Sequence, residues 1–88
     1  MKISQQKREK ISEQILAHLF SISPKSTFTS YIANEIARDE EFIKKLLIDL
    51  KSKNLIIEIK KNPQGTQYIR RSRWKLSSQA YEVYKNKQ

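Results

Sequence analysis

The only glycine of this chain, Gly65, stands in Asn62-Pro63-Gln64-Gly65 between two runs of alternating character. Pro63 holds φ near the value a turn needs, and Gly65 permits positive φ. Before the turn, Leu55, Ile57 and Ile59 alternate with more polar positions, as one buried strand face requires. After it, Tyr68, Ser72, Trp74 and Leu76 fall on one parity, while Ile69, Arg71, Arg73 and Lys75 fall on the other. Residues 54–76 therefore predict a β-hairpin, with Leu55, Ile57 and Ile59 turned inward on its first strand and Trp74 in the core on its second.

The charge on this hairpin bears directly on function. From Lys60 to Lys75 there are six basic residues (Lys60, Lys61, Arg70, Arg71, Arg73 and Lys75) and no acid. An extended tip carrying Lys, Arg, Asn, Gln and Thr suits a phosphate backbone. Lysine alone would keep a strand edge soluble; three arginines within four positions, next to a tryptophan, exceed that need. The surplus is local. Residues 1–54 hold 10 basic and 7 acidic side chains, whereas residues 55–88 hold 8 and 2. The formal net charge of +9 favours an anionic partner, nucleic acid ahead of an anionic membrane.

At 88 residues, one domain over 1–88 is expected. With no cysteine, a disulfide framework or a thiolate metal site is excluded. The N-terminal residues lack the apolar centre of a signal peptide, and apolar runs of four residues or fewer predict no membrane span. His18 is the only histidine and has no second soft ligand to complete a metal site. There is no glycine-rich phosphate loop and no readable pairing of a nucleophile with a base, so no enzyme and no cofactor are expected.

Around the hairpin the chain reads as helices. Ser4 can cap a first helix over about 7–20, with Ile11, Ile15, Leu16, Leu19 and Phe20 as its apolar stripe. Pro24 helps to end it. Ser26-Thr27-Phe28 can form a short strand that pairs with the hairpin. Thr29 or Ser30 then caps a helix over about 30–37, with Tyr31, Ile32, Ile36 and Ala33 inward. Asp39 caps a third helix over about 40–53, whose buried stripe is Ile43, Leu46, Leu47 and Leu50. Its outward face is Glu41, Lys44, Lys45, Ile48, Lys51 and Ser52. Asn54 sits where a helix end needs a left-handed residue. Ser77 and Ser78 can cap a last helix to about residue 86, with Ala80, Tyr81, Val83 and Tyr84 on its apolar side.

This order resembles a winged helix-turn-helix domain: an α+β, mainly helical fold with a three-helix core, a β-hairpin wing and a short C-terminal helix. The segment from Ile36 to Ile56 is similar to the turn, recognition helix and start of the wing in MarR- and PadR-like regulators. Their recognition helix ends in leucine, two polar residues, lysine, glycine, leucine and isoleucine. Here the run is Leu50-Lys51-Ser52-Lys53-Asn54-Leu55-Ile56. Trp74-Lys75-Leu76-Ser77-Ser78-Gln79-Ala80-Tyr81 resembles the step from wing to last helix, with Ala80 where glycine is usual. The likeness covers about residues 7–84, with the helix-turn-helix at about 30–53 and the wing at about 55–76.

The resemblance implies double-stranded DNA as partner, with the third helix in the major groove, the second touching phosphates and the wing on the backbone or an adjacent minor groove. Carried over by position, the DNA-binding residues are Thr29, Ser30, Lys44, Lys45, Ile48, Lys60, Lys61, Asn62, Gln64, Thr66, Gln67, Arg70, Arg71 and Arg73. Tyr31 belongs to the same second-helix group, and Glu41 to the reading helix. One departure matters. The family's reading helix usually begins with small hydroxyl residues; here it begins Asp39-Glu40-Glu41, acids that stabilise the helix end but repel phosphate. Glu41 either caps only or reads a cytosine amino group. The wing is therefore expected to contribute more affinity than the reading helix. The implied role is a small transcription regulator, or an accessory DNA-binding factor of a plasmid, phage or conjugative element, cytoplasmic and associated with the nucleoid or a plasmid. The short last helix leaves little dimer surface, so a monomer, a weak homodimer or several copies on paired sites are expected, without a small-molecule ligand. The alternatives are a winged-helix protein–protein interaction module, to which Ile48 would belong, or an RNA binder.

Overall fold

The computed structural model describes residues 4–60 and 72–87. The elements run α1 (Gln5–Ile22), β1 (Thr27–Phe28), α2 (Thr29–Ile36), α3 (Glu40–Ser52), β2 (Ile56–Ile59), β3 (Arg73–Leu76) and α4 (Ser78–Asn86). The three strands form one antiparallel sheet in the order β1-β3-β2. This is the expected winged-helix architecture, including the short strand at Thr27–Phe28. Hairpin positions 61–71, including the Asn62–Gly65 turn, lie outside the described residues.

Side-chain caps set three of the four helix starts among the described residues. The Ser4, Asp39 and Ser77 side-chain oxygens accept from the backbone N–H groups of Lys7, Phe42 and Ala80 at 3.3, 3.2 and 3.1 Å. Each cap satisfies a donor that the first helical turn leaves without an intrahelical partner. The start of α2 differs from expectation. Phe28, which has no side-chain oxygen to accept a bond, occupies its cap position; Thr29 is the first helical residue, and its hydroxyl serves another partner, described below.

Helices α2 and α3 both end in a Schellman motif, in which two successive N–H groups close back on the last turn. At the first, Ala37 N–H donates to Asn34 and Arg38 N–H to Ala33; at the second, Asn54 N–H donates to Lys51 and Leu55 N–H to Leu50. Each motif needs one left-handed residue. The chain uses Ala37 at φ 61° and Asn54 at φ 62°. Asn54 thus takes the role its position suggested. Ala37 carries the steric cost of a Cβ in that conformation.

The core is Ile11, Ile15, Leu16 and Leu19 of α1, Ile32 and Ala33 of α2, Ile43, Leu46, Leu47 and Leu50 of α3, with Ile56, Trp74, Leu76 and Ala80. Helix α4 docks on α1 through Phe20, whose ring centroid lies 5.5 Å from Tyr81 and 5.6 Å from Tyr84. Burial there, with the nearby Glu13 charge, raises the Tyr84 phenol above its ordinary value.

The sheet corrects the expected phase of the first strand. Ile56 pairs with Leu76 and Glu58 with Trp74, so these four share the inner face. Ile57 is instead turned out, 43% exposed, on the side of Lys75. Leu55 precedes the strand and packs against the core edge. Alternation alone would accept either phase of Leu-Ile-Ile-Glu-Ile. The large side chains Trp74 and Leu76 can be buried on only one face, and their pairing carries Ile56 and Glu58 inward with them. Two helix expectations also change. Tyr31 is 59% exposed, and Val83 is exposed on α4.

Candidate nucleic-acid interface

Three elements converge at the base of the wing. The three-residue turn 37–39 swings α3 across α2, so the starts of both helices approach the end of the sheet. A cleft of about 80 Å³ there is lined by Phe28, Thr29, Ser30, Glu40, Lys44, Ser72 and Trp74. Of the residues expected to touch DNA, the structure thus brings Thr29, Ser30 and Lys44 together, with Glu40 in the same lining. Lys45 and Ile48 lie on the exposed face of α3, and Ile48 is 52% exposed. Glu41 is exposed in the first turn of the same helix.

Thr29 has an internal task. Its Oγ1 accepts a hydrogen bond of 2.8 Å from Trp74 Nε1, and Trp74 is 1% exposed. An indole N–H buried this deeply needs a partner. The bond ties the first residue of α2 to the middle of β3. The hydroxyl still has a proton to donate, so the same side chain can serve both the core and an anion.

Arg73 is held by aromatic stacking. It pairs with Phe28 across the sheet, and its guanidinium sits 4.6 Å from the Phe28 ring centroid. Phe28 in turn meets Tyr31 edge-on at 5.8 Å. A cation over a ring face gains from the ring quadrupole and loses rotamer freedom, which presents its charge in a defined place.

Glu58 was not singled out by sequence reasoning. It faces inward on β2, with its side chain 13% exposed, and accepts from Lys51 Nζ at 2.8 Å and from Ser72 Oγ. Lys60 Nζ lies 4.0 Å away. Burial opposes ionisation of this carboxyl. The hydrogen bonds from Lys51 and Ser72, with the charges of Lys51 and Lys60, outweigh it and hold the carboxyl below its ordinary value. One sequence signal could have found it: Glu58 is the only acid between Asp49 and Glu82.

The other expected contacts, Lys61, Asn62, Gln64, Thr66, Gln67, Arg70 and Arg71, lie outside the described residues. Among the described residues, no three His, Cys, Asp or Glu side chains cluster in a way that could hold a metal ion. No described helix is long and apolar enough to cross a membrane.

A helix-turn-helix seated on a third helix and followed by a hairpin from the same antiparallel sheet is a winged helix. Solved structures share this fold. The S. aureus MepR–DNA complex aligns with a TM-score of 0.72 at 21% identity, covering 92% of this chain and 66% of that one. A variant of Lactococcus lactis ZitR aligns with a TM-score of 0.71 at 21% identity, covering 99% and 55%. ZitR, described as a zinc-responsive MarR family member, also aligns in a further structure with a TM-score of 0.65 at 20% identity, covering 97% and 51%. The chain spans about half to two thirds of the length of these regulators. No family model matches the chain, and no curated protein matches it in sequence.

Proposed function

We propose that this chain docks a winged helix on duplex DNA, with α3 in the major groove and the basic wing supplying much of the affinity. The observation that carries the reading is the junction at the wing base. There Thr29, Ser30 and Lys44 line one cleft together with Glu40 and Ser72, and the hairpin sequence holds six basic residues and no acid from Lys60 to Lys75. Such a surface offers hydroxyl donors and cations to phosphates on either side of an inserted helix. The protein acts in the cytoplasm, on nucleoid or plasmid DNA, as a small transcription regulator or an accessory factor of a plasmid, phage or conjugative element. It works as a monomer, a weak dimer or several copies on paired sites. We take its domain to span residues 1–88, without a small-molecule ligand and without catalytic activity.

Fluorescence anisotropy across a salt series tests this, using random duplex, random RNA and a duplex from upstream of its own gene. Tightest binding to the upstream duplex is expected, with log K falling against log[salt] at a slope of about −5 if some six phosphates are neutralised. Replacing Arg70 and Arg71 by Ala should cost more affinity than replacing Lys44 and Lys45. Equal or reversed losses would refute the dominance of the wing. Weak binding to all three nucleic acids that vanishes with salt would refute the DNA reading. It would favour a protein partner on the α3 face, where Ile48 is the one apolar side chain among Glu41, Lys44, Lys45 and Lys51.

A further inference from the structure

We infer that Glu58 is a positioning residue that fixes the wing against the reading helix through Lys51 and Ser72. It rests on the DNA-binding reading above. The two surfaces that such a protein lays on DNA belong to different elements, α3 and the β2–β3 hairpin. Their relative angle decides whether both reach their grooves at once. Ile56 and Trp74 are buried at the core side of the sheet. On β2, Glu58 ties the wing to the last turn of α3 through Lys51.

The carboxylate grips both sides. Oε1 accepts from Lys51 Nζ in the last turn of α3 at 2.8 Å, and Oε2 accepts from Ser72 at the foot of the returning strand. One side chain thereby spans helix, outgoing strand and returning strand. Its placement is otherwise unfavourable. A carboxylate on the inner face of a sheet, where Ile57 would bury more apolar area, costs desolvation. It also puts a negative charge at the base of the most basic element in the chain. A solvated acid would serve solubility from the outer face equally well. The inward placement makes sense if the charge is used to fix geometry.

The reading gives a sign opposite to that of simple charge. Removing an acid beside a phosphate-binding wing should tighten DNA binding through Coulomb attraction alone. If Glu58 positions the wing, Glu58→Ala should instead weaken binding to the upstream duplex about three- to tenfold, although the net charge rises. Lys51→Met should give a similar loss, and the double variant should lose little more than either one. Glu58→Gln, which keeps an acceptor for Ser72, should lie between wild type and Glu58→Ala. Amide hydrogen exchange on the free protein gives a readout that needs no DNA. In Glu58→Ala, exchange should rise severalfold around the Ile59–Arg73 pair and stay unchanged around Ile56–Leu76.

Equal or tighter duplex binding by Glu58→Ala would overturn the inference. If wild type fails to bind duplex DNA, the DNA reading falls. The positioning role then stands on local exchange: a rise confined to Ile59–Arg73 supports it, and an unchanged or uniformly raised pattern overturns it.

Discussion

The hydrogen bond from Trp74 to Thr29 ties a buried indole N–H to the start of α2, and Thr29→Val measures its worth. Valine keeps the shape of threonine and replaces the hydroxyl by a methyl. Trp74 is 1% exposed and its Nε1 lies 2.8 Å from Thr29 Oγ1, so the buried indole N–H loses its acceptor. An unsatisfied buried donor costs about 1–3 kcal/mol. In a domain of this size each kcal/mol moves Tm by about 4–8 °C, so a fall of roughly 10 °C is expected. Thr29→Ser keeps the oxygen and loses one methyl, at a cost of about 0.8 kcal/mol or less. Trp74→Phe removes the donor, and combining it with Thr29→Val counts the lost bond only once. The cycle should therefore show coupling of about 1 kcal/mol or more. Urea and thermal unfolding followed by far-UV circular dichroism supply the energies, and Trp74, the only tryptophan, reports its own burial by fluorescence. Thr29→Val within about 0.3 kcal/mol of wild type, or strictly additive single losses, would refute the argument.

Two further outcomes follow from local geometry. Ala37 closes α2 in the left-handed region, which costs an L-residue about 1–2 kcal/mol; Ala37→Gly should raise the unfolding free energy by about 0.5–1 kcal/mol after the entropy of glycine is subtracted. Asn54→Gly should gain less, since asparagine tolerates that conformation, and the reverse order in denaturant titrations would count against the capping account. Glu58 titrates below its ordinary value of 4.5 in the folded chain. Its stabilising contribution is therefore complete above about pH 4.5 and disappears as pH falls through the lower folded value. The stability gap between wild type and Glu58→Gln should be steady at neutral pH and close in acid, and a gap that widens in acid would refute the sign.

The helices were legible because each carries its own signals. The stripes of α1 and α3, the Asp39 and Ser77 caps and the left-handed Asn54 are local, short-range chemistry, and they appear where the periodicity and end signals put them. Trp74 and Leu76 were legible as core for the same reason: their parity and size leave little choice. The first strand was not. Leu-Ile-Ile-Glu-Ile satisfies alternation in either phase, and only pairing with β3 sends Ile56 and Glu58 inward and leaves Ile57 outside. Tyr31 was misplaced because an eight-residue helix gives too few turns to fix its buried face from pattern alone.

The candidate site divides in the same way. The basic excess of the hairpin and the acids at the head of α3 are properties of composition, and the sequence by itself determined them. It also determined the helix-turn-helix order, since caps, stripes and breakers act over a few residues. Only the tertiary structure decided which side chains meet across the chain: Trp74 with Thr29, Arg73 with Phe28, and Glu58 with both Lys51 and Ser72. Those pairs join residues 7 to 45 positions apart. Nothing local couples them. Their contact follows from one sheet register and one helix-turn angle, which the burial of a shared core selects.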